Sequence, residues 1–228
     1  MSQGANAQEP TNLHIAEDRT NRQLTPREAW DRLRAGNARF VDDSAQHPNQ
    51  NASRRESLTQ SQHPFATIFG CSDSRLAAEI IFDLGLGDAF VVRTAGQVIA
   101  DAVLGTLEYS VEVLKVPLIV VLGHDSCGAV TATKNAVEDG NLPGGFQRSL
   151  IERITPAVLD SQRSHKHSVN DMVVENVRLV AERILDQSRT IAAAVSRGDV
   201  ALVGMFYHLS DGQAELVYGH GSWLELDQ

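Results

Sequence analysis

The stretch "LIVVLGHDSCGAV", residues 118–130, indicates the fold class most directly. It opens with a continuous apolar run rich in β-branched residues, which is typical of a strand buried on both faces of a sheet. Polar residues follow at once, and a helical pattern then runs to Gly140. A buried strand that turns directly into a helix is the repeating unit of parallel α/β sheets.

Two earlier runs are similarly apolar and rich in β-branched residues, "FATIFG" (65–70) and "AFVVR" (89–93). Helix-like segments at 76–84 and 102–115 follow them. We predict that all three strands are buried on both faces. Near the end, "ALVGMFYHL" (201–209) and "AELVY" (214–218) predict a hairpin joined through Asp211-Gly212. The sequence therefore predicts an α/β domain with a central, mostly parallel sheet flanked by helices.

The N-terminal part of the domain carries a clear helix start. Thr25 is a predicted N-cap, Pro26 stands at the first helical position, and Glu28 completes a capping box. We expect a break in this helix near Gly36, and one long helix over residues 169–197. Residues 1–24 are polar, so we expect a disordered extension there and a single domain over 25–228.

Composition narrows the classes of partner. The 228-residue chain has a formal net charge of −9 and no cluster of Lys and Arg, which argues against nucleic acid as a partner. No apolar run approaches the ~20 residues that span a bilayer, so no membrane partner is expected. The first 25 residues lack an apolar signal-peptide core, and a cytoplasmic location is the expectation.

A second stretch, "IFGCSDSR" (68–75), places Cys71, Asp73 and Arg75 at alternate positions where a buried strand ends. If this strand neighbours the one at 118–123, Cys71 converges with His124 and Cys127. Two thiolates and an imidazole suit Zn²⁺, and three protein ligands leave a fourth position open, as in catalytic zinc sites.

The remaining two residues acquire roles beside such a metal. Asp73 can accept a hydrogen bond from the water on the metal or coordinate the metal itself, and Arg75 can hold that carboxylate bidentately. Alternation along an extended segment would place all three side chains on one side. Each motif alone also fits a buried thiol, a core histidine or a surface ion pair, and the two together are far more specific.

The chain resembles the β-class carbonic anhydrases. The two signatures of that family, Cys-x-Asp-x-Arg and His-x-x-Cys, stand here as "CSDSR" (71–75) and "HDSCG" (124–128), and the resemblance covers roughly residues 25–220. It implies one zinc ion per chain and a homodimer or homotetramer with the substrate pocket at the subunit interface. By position, four residues match that pocket: Gln62, Phe90, Tyr109 and Gly128.

Within that set the resemblance makes Phe90 and Tyr109 the pocket aromatics and Gly128 a backbone donor beside the metal. Without it, the aromatics would be ordinary core residues and Gln62 a loop residue. Two departures from the family pattern are visible. "RTAGQ" (93–97) replaces Arg-Asn-Ala-Gly-Asn, with little expected consequence, and Ile68 replaces the Trp of a second, inhibitory bicarbonate pocket, which we therefore do not expect despite Arg93.

The activity implied by the resemblance is the zinc-dependent, reversible hydration of CO2 to bicarbonate and a proton, by hydroxide generated at the metal. In a closed state, Asp73 would replace water as the fourth ligand. Three alternatives stay open: hydrolysis of CS2 or COS on the same scaffold, a non-catalytic zinc-binding regulatory protein, and a redox protein that uses Cys71 and Cys127.

Overall fold

A central five-stranded sheet organises the protein, for which a computed structural model describes residues 24–220. The strand order is β2-β1-β3-β4-β5, and β1 to β4 pair in parallel while β5 runs antiparallel to β4. The prediction of an α/β domain with a mostly parallel sheet is confirmed. The strands are β1 (Ala66–Cys71), β2 (Ala89–Thr94), β3 (Leu118–His124), β4 (Ala201–Tyr207) and β5 (Ala214–His220).

Helices cover both faces of the sheet. They are α1 (Pro26–Val41), α2 (Ala52–Ser57), α3 (Ala78–Ile81), α4 (Asp101–Glu112), α5 (Gly128–Asp139), α6 (Gln147–Arg163), α7 (Val169–Gln187) and α8 (Arg189–Ser196). On one face, apolar residues of α1, α3, α5, α6 and the start of α7 form one core cluster with strand residues such as Ile68 and Val120. On the other face, α4, α7 and α8 pack on Phe69 and Val121. No helix in residues 24–220 is long and apolar enough to cross a membrane.

The strand predictions hold for β1 and β3, which are buried at every residue. For residues 89–93 the expected burial on both faces is wrong. In the described part of the chain β2 pairs with β1 alone, and its residues are half-buried or exposed. An edge strand has a neighbouring strand on one side only, so the residues of β2 are less buried than those of the central strands.

Two helix predictions need correction, and one further helix is not predicted. The helix expected over 169–197 is two helices, because the extended Ser188 ends α7 and its Oγ accepts the Ile191 N–H (3.1 Å) to cap α8. The segment 76–84 contains only the single-turn α3. The sequence does not predict α6, in which Pro156 interrupts the helical pattern. The predicted extension, apart from Leu24, lies outside the described residues.

The break expected near Gly36 is also wrong, although the capping box of α1 is confirmed. α1 continues through Gly36, which is buried where the helix crosses the chain after α3. A Cβ at this position would lie 1.9 Å from the carbonyl oxygen of Phe82. The glycine is therefore required by a close approach of two backbones, and no turn is needed there.

We expect Gly36→Ala to lower the free energy of unfolding by about 3 kcal/mol, because the added methyl group overlaps the Phe82 carbonyl. Helix propensity alone predicts the opposite sign, a gain of about 1 kcal/mol. The exposed neighbour provides the control: Ala35→Gly should cost only about 1 kcal/mol. Urea unfolding of the two variants measures both values, and a more stable Gly36→Ala protein would contradict the close approach.

Asp83 anchors the irregular segment that follows α1. Its buried carboxylate accepts hydrogen bonds from Arg39 Nε (2.6 Å) and from the backbone N–H groups of Gln46 and His47. Burial alone would raise the pKa of Asp83, but the Gln46 N–H and the Arg39 guanidinium outweigh it and lower the pKa. A carboxylate with a lowered pKa stabilises the fold above its unfolded pKa, and this contribution is lost as the pH falls.

Asp83→Asn should therefore cost about 3 kcal/mol at pH 7, since Arg39 and two backbone donors lose their acceptor charge. The difference from wild type should shrink below the unfolded pKa of about 3.9. Glu152→Gln removes only a surface partner of Arg148 and should change stability by less than about 1 kcal/mol. Urea titrations at several pH values test this, and a stability difference independent of pH would contradict it.

Candidate metal centre

Parallel pairing of β1 with β3 brings the two cysteine-containing segments to one edge of the sheet, as the sequence predicts for neighbouring strands. Cys71 is the last residue of β1, His124 is the last residue of β3, and Cys127 is the N-cap of α5. All three are buried, and their ligand atoms lie within 4.8 Å of one another. The two sulfur atoms are 4.0 Å apart.

The chemistry of this donor set fits a zinc ion. His124 Nδ1 lies 2.8 Å from the carbonyl oxygen of Asp125, which can only accept, so Nδ1 carries the proton and donates. The other nitrogen, Nε2, is therefore left with a free lone pair, and within residues 24–220 it is buried with no hydrogen-bond partner. A buried orphan nitrogen beside two sulfurs is what a Cys2His metal site requires.

The electrostatics of the cluster also favour a cation. The hydrogen bond from Cys127 lowers the pKa of the Cys71 thiol to about 4, against the opposing effect of burial. The same hydrogen bond, together with burial, raises the pKa of Cys127. Burial would lower the pKa of His124, but the neighbouring Cys71 sulfur outweighs it and raises the pKa. The negative charge of the pair therefore lies on Cys71, while Cys127 keeps its proton and donates it in the hydrogen bond to Cys71.

Asp73 and Arg75 form a fixed pair at the rim of the cluster. Arg75 donates to the carboxylate from Nε (2.9 Å), from Nη2 (2.8 Å) and from its backbone N–H (2.9 Å). These hydrogen bonds hold the pKa of Asp73 well below its usual range. Asp73 Oδ2 lies 3.9 Å from His124 Nε2, so an ionised carboxylate faces the cluster.

The route by which these side chains meet differs from the predicted one. β1 ends at Cys71, so strand alternation does not continue to Arg75. The chain instead turns, with the Leu76 N–H donating to the Asp73 carbonyl (3.0 Å). The Arg75 N–H bonds the Asp73 side chain within that turn. An Asx-type turn therefore places the carboxylate beside the cluster.

Several residues that support the cluster are not predicted from the sequence as members of the site. Arg93 donates to the carbonyl oxygens of Cys71 (3.0 Å) and Asp73 (2.6 Å), which fixes the backbone on both sides of Ser72. Asn170 accepts the Ser126 N–H (3.1 Å) in the turn between the two other ligands. Of these residues, the sequence draws attention only to Arg93, which belongs to the family pattern of the second bicarbonate pocket that we do not expect here.

The four predicted pocket residues do not lie together within one chain. Gly128 opens α5 beside the cluster, and a Cβ there would meet nothing within 4 Å. Gln62 lies exposed in the irregular segment before β1. Phe90 and Tyr109 lie 6.1 Å apart between ring centroids, and Tyr109 is 46% exposed, so they are not core aromatics.

Phe90 cannot reach the cluster of its own chain. It pairs with Thr67, whereas Cys71 pairs with Thr94 at the other end of β2. At ~3.3 Å per residue, the four intervening steps place Phe90 roughly 13 Å along the strand from that end. The structure therefore unites Cys71, His124 and Cys127 with Asp73 and Arg75, and leaves Phe90 and Tyr109 on a separate, partly exposed surface.

Comparison with known proteins agrees with this geometry. The family described as carbonic anhydrase matches residues 66–214. The carbonic anhydrase of Mycolicibacterium smegmatis is 53% identical over 191 residues, which is 84% of this chain and 93% of that protein. Carbonic anhydrase 2 of Mycobacterium tuberculosis is 51% identical over the same share of this chain and 92% of its own.

Solved structures show the same architecture. A tetrameric β-carbonic anhydrase of Sordaria macrospora superposes with a TM-score of 0.65 at 23% identity, over 83% of this chain and 96% of that one. The Coccomyxa β-carbonic anhydrase in complex with acetazolamide gives 0.62 at 25% identity, over 80% and 83%.

Fold and cluster together define an α/β protein with a mostly parallel sheet, a buried Cys2His cluster and an Asp–Arg pair at its rim. The chain belongs to the carbonic anhydrase family, and its fold is that of the β class.

We expect Arg93→Lys to weaken zinc binding about 10-fold, because an ammonium group cannot hold the Cys71 and Asp73 carbonyls together as the guanidinium does. Competition with a chromophoric chelator measures the affinity. Arg197→Lys alters an exposed arginine that pairs only with Asp199 in the described structure and should leave the affinity unchanged. Equal zinc affinities for wild type and Arg93→Lys would show that Arg93 does not support the site.

Proposed function

We propose that the chain catalyses the reversible hydration of CO2 to bicarbonate and a proton, with one Zn²⁺ per chain held by Cys71, His124 and Cys127. The observation that carries the proposal is the fixed Asp73 carboxylate, 3.9 Å from the imidazole of the cluster. A site that only retained metal would not need this aimed carboxylate. Bound zinc supplies the acidity that makes water a nucleophile near neutral pH.

Asp73 and Arg75 have distinct roles in this proposal. Asp73 Oδ2 accepts a hydrogen bond from the nucleophilic water, which directs a lone pair of the water oxygen towards the carbon of CO2. Arg75 keeps the carboxylate ionised and fixed through three donated hydrogen bonds. If Asp73 left Arg75 and became a fourth metal ligand, it would occupy the position of the water, and the chain would be in its closed, inactive state.

The substrate pocket, in our proposal, is completed by a second copy of the chain. Phe90 and Tyr109 form a partly exposed aromatic pair beside the open edge of β2, too far along the strand to line the cluster of their own subunit. Val113, the residue that caps the C-terminal end of α4 one turn after Tyr109, continues this surface, since it is 58% exposed. A homodimer, alone or as half of a homotetramer, would bring the pair, together with Gln62 and Gly128, around the CO2 site.

Asp73→Asn should lower the rate of CO2 hydration about 100-fold, since the amide cannot accept the hydrogen bond in the same way, while zinc stays at one ion per chain. Stopped-flow hydration with zinc analysis tests this. Asp211→Asn, in the β4–β5 turn, is the matched control and should retain wild-type rates. Full zinc in wild type without CO2 hydration at any pH would contradict the proposal and favour CS2 or COS hydrolysis or a non-catalytic role.

A mixing experiment tests the shared pocket. Asp73→Asn and Tyr109→Ala proteins should each be weakly active, because each lacks one half of every site. In a heterodimer, one site combines the intact Asp73 of one chain with the intact Tyr109 of the other. Unfolding the two variants together and refolding them should restore about a quarter of wild-type activity. No gain over the separately refolded variants would show that each pocket lies within a single chain.

Two further features complete the proposed assignment. Cys71 and Cys127 are free thiols, and thiolate ligands persist in a reducing compartment, which supports a cytoplasmic location. We take residues 25–228 as one catalytic domain, with residues 1–24 as an extension. The net charge of −9 supports partners other than nucleic acid.

A further inference from the structure

One sulfur atom of the cluster, Cys71 Sγ, accepts a hydrogen bond from the backbone. The Gly96 N–H lies in the short 3₁₀ turn Ala95–Gln97 after β2 and donates to Cys71 Sγ at 3.3 Å. Gly96 has φ +65°, and a Cβ there would lie 2.7 Å from Ile154 Cδ1 and 3.0 Å from Ala129 Cβ. The donor therefore occupies a position that only glycine can take.

One side chain from a distant helix holds this turn in place. Asn176 Nδ2 donates to the Gly96 carbonyl oxygen at 3.0 Å, across 80 residues of sequence. Asn176 is only 3% exposed and lies on the buried face of α7, between the core residues Val173 and Val177. Burying an amide in an apolar helix face costs about 1–3 kcal/mol unless it is hydrogen-bonded, so its place there indicates a specific use.

In a metal site with two thiolate ligands, a hydrogen bond to one of the sulfur atoms has a chemical effect on the metal. Each thiolate donates electron density to the metal, which reduces the acidity that the metal confers on its water. An N–H donor to sulfur withdraws part of that density. The Gly96 donor belongs to a short turn and not to a regular helix, so its position depends on the contact with Asn176.

We propose that Asn176 is a positioning residue that aims the Gly96 N–H at the Cys71 sulfur and so lowers the electron density this ligand delivers to the metal. This inference rests on the metal site of the proposed function. Outer hydrogen bonds of this kind change metal affinity or activity by about 10- to 100-fold when they are removed.

The test compares Asn176→Leu, which keeps the volume without a donor, with Asn176→Ala, which removes the amide side chain. Asn37→Leu is the matched control, because Asn37 is also a buried helical asparagine that donates to carbonyl oxygens, those of Ile81 and Gly212. All proteins are loaded with Co²⁺, whose sulfur-to-cobalt charge-transfer absorption reports the electron density on the thiolates. The pH profile of CO2 hydration is measured alongside, on variants that unfold cooperatively.

In both Asn176 variants we expect the charge-transfer band to move to longer wavelength and the midpoint of the activity profile to move to higher pH, because the thiolate without its donor delivers more electron density to the metal. Asn37→Leu should lose stability with none of these changes. Unchanged bands and profiles in the Asn176 variants, beside a wild type with normal bands, would overturn the inference alone. A wild type that binds Co²⁺ without sulfur bands would overturn it together with the proposed metal site.

Discussion

The parallel hydrogen bonds between β1 and β3 are the interaction on which the rest of this structure depends. Their register, with Gly70 opposite Leu122, makes the two strands end at the same edge of the sheet. One strand thereby delivers Cys71 and the other delivers His124, while the turn into α5 adds Cys127. Both strands are buried on both faces, and a slip by one residue would turn every side chain to the opposite face. The core therefore fixes the distances within the cluster.

The elements around the carboxyl ends of β1 and β3 hold the ligand-bearing segments in place by hydrogen bonds. Arg93 on the edge strand bonds the carbonyl groups that flank Ser72, Asn170 at the start of α7 bonds the turn before Cys127, and Asn176 further along α7 bonds Gly96. These contacts tie a strand end and the adjoining turns to side chains of a neighbouring strand or helix. A metal site built in this way is preorganised, so binding the ion requires little rearrangement of the chain.

The sequence carries enough information for the strands, the sheet class and the cluster, because each depends on a local pattern. Continuous apolar runs predict β1 and β3, and a cysteine or histidine at the end of each predicts convergence. The supporting contacts could not be found in this way. Asn176 bonds a glycine 80 residues away, and Arg93 acts through backbone carbonyls, which have no sequence signature. For Asn176, the sequence offers only the presence of an amide side chain on an otherwise apolar helix face.

The errors have similar causes. β2 has the continuous apolar run of a central strand but lies at the edge of the sheet in the described part of the chain, where its residues are half-buried or exposed. Gly36 marks a close crossing with the Phe82 carbonyl, and Ser188 marks a helix junction, and both depend on tertiary contacts. Local rules cannot distinguish a glycine that breaks a helix from one that lets another backbone approach.

X-ray absorption at the zinc edge of the purified protein counts the atoms bound to the metal in solution, so it tests whether Cys71, His124 and Cys127 bind one ion. We expect two sulfur atoms at about 2.3 Å and lighter nitrogen or oxygen atoms at about 2.0 Å, including one imidazole. A first shell of nitrogen and oxygen alone, or one with a single sulfur, would contradict the convergence of Cys71, His124 and Cys127 on one ion.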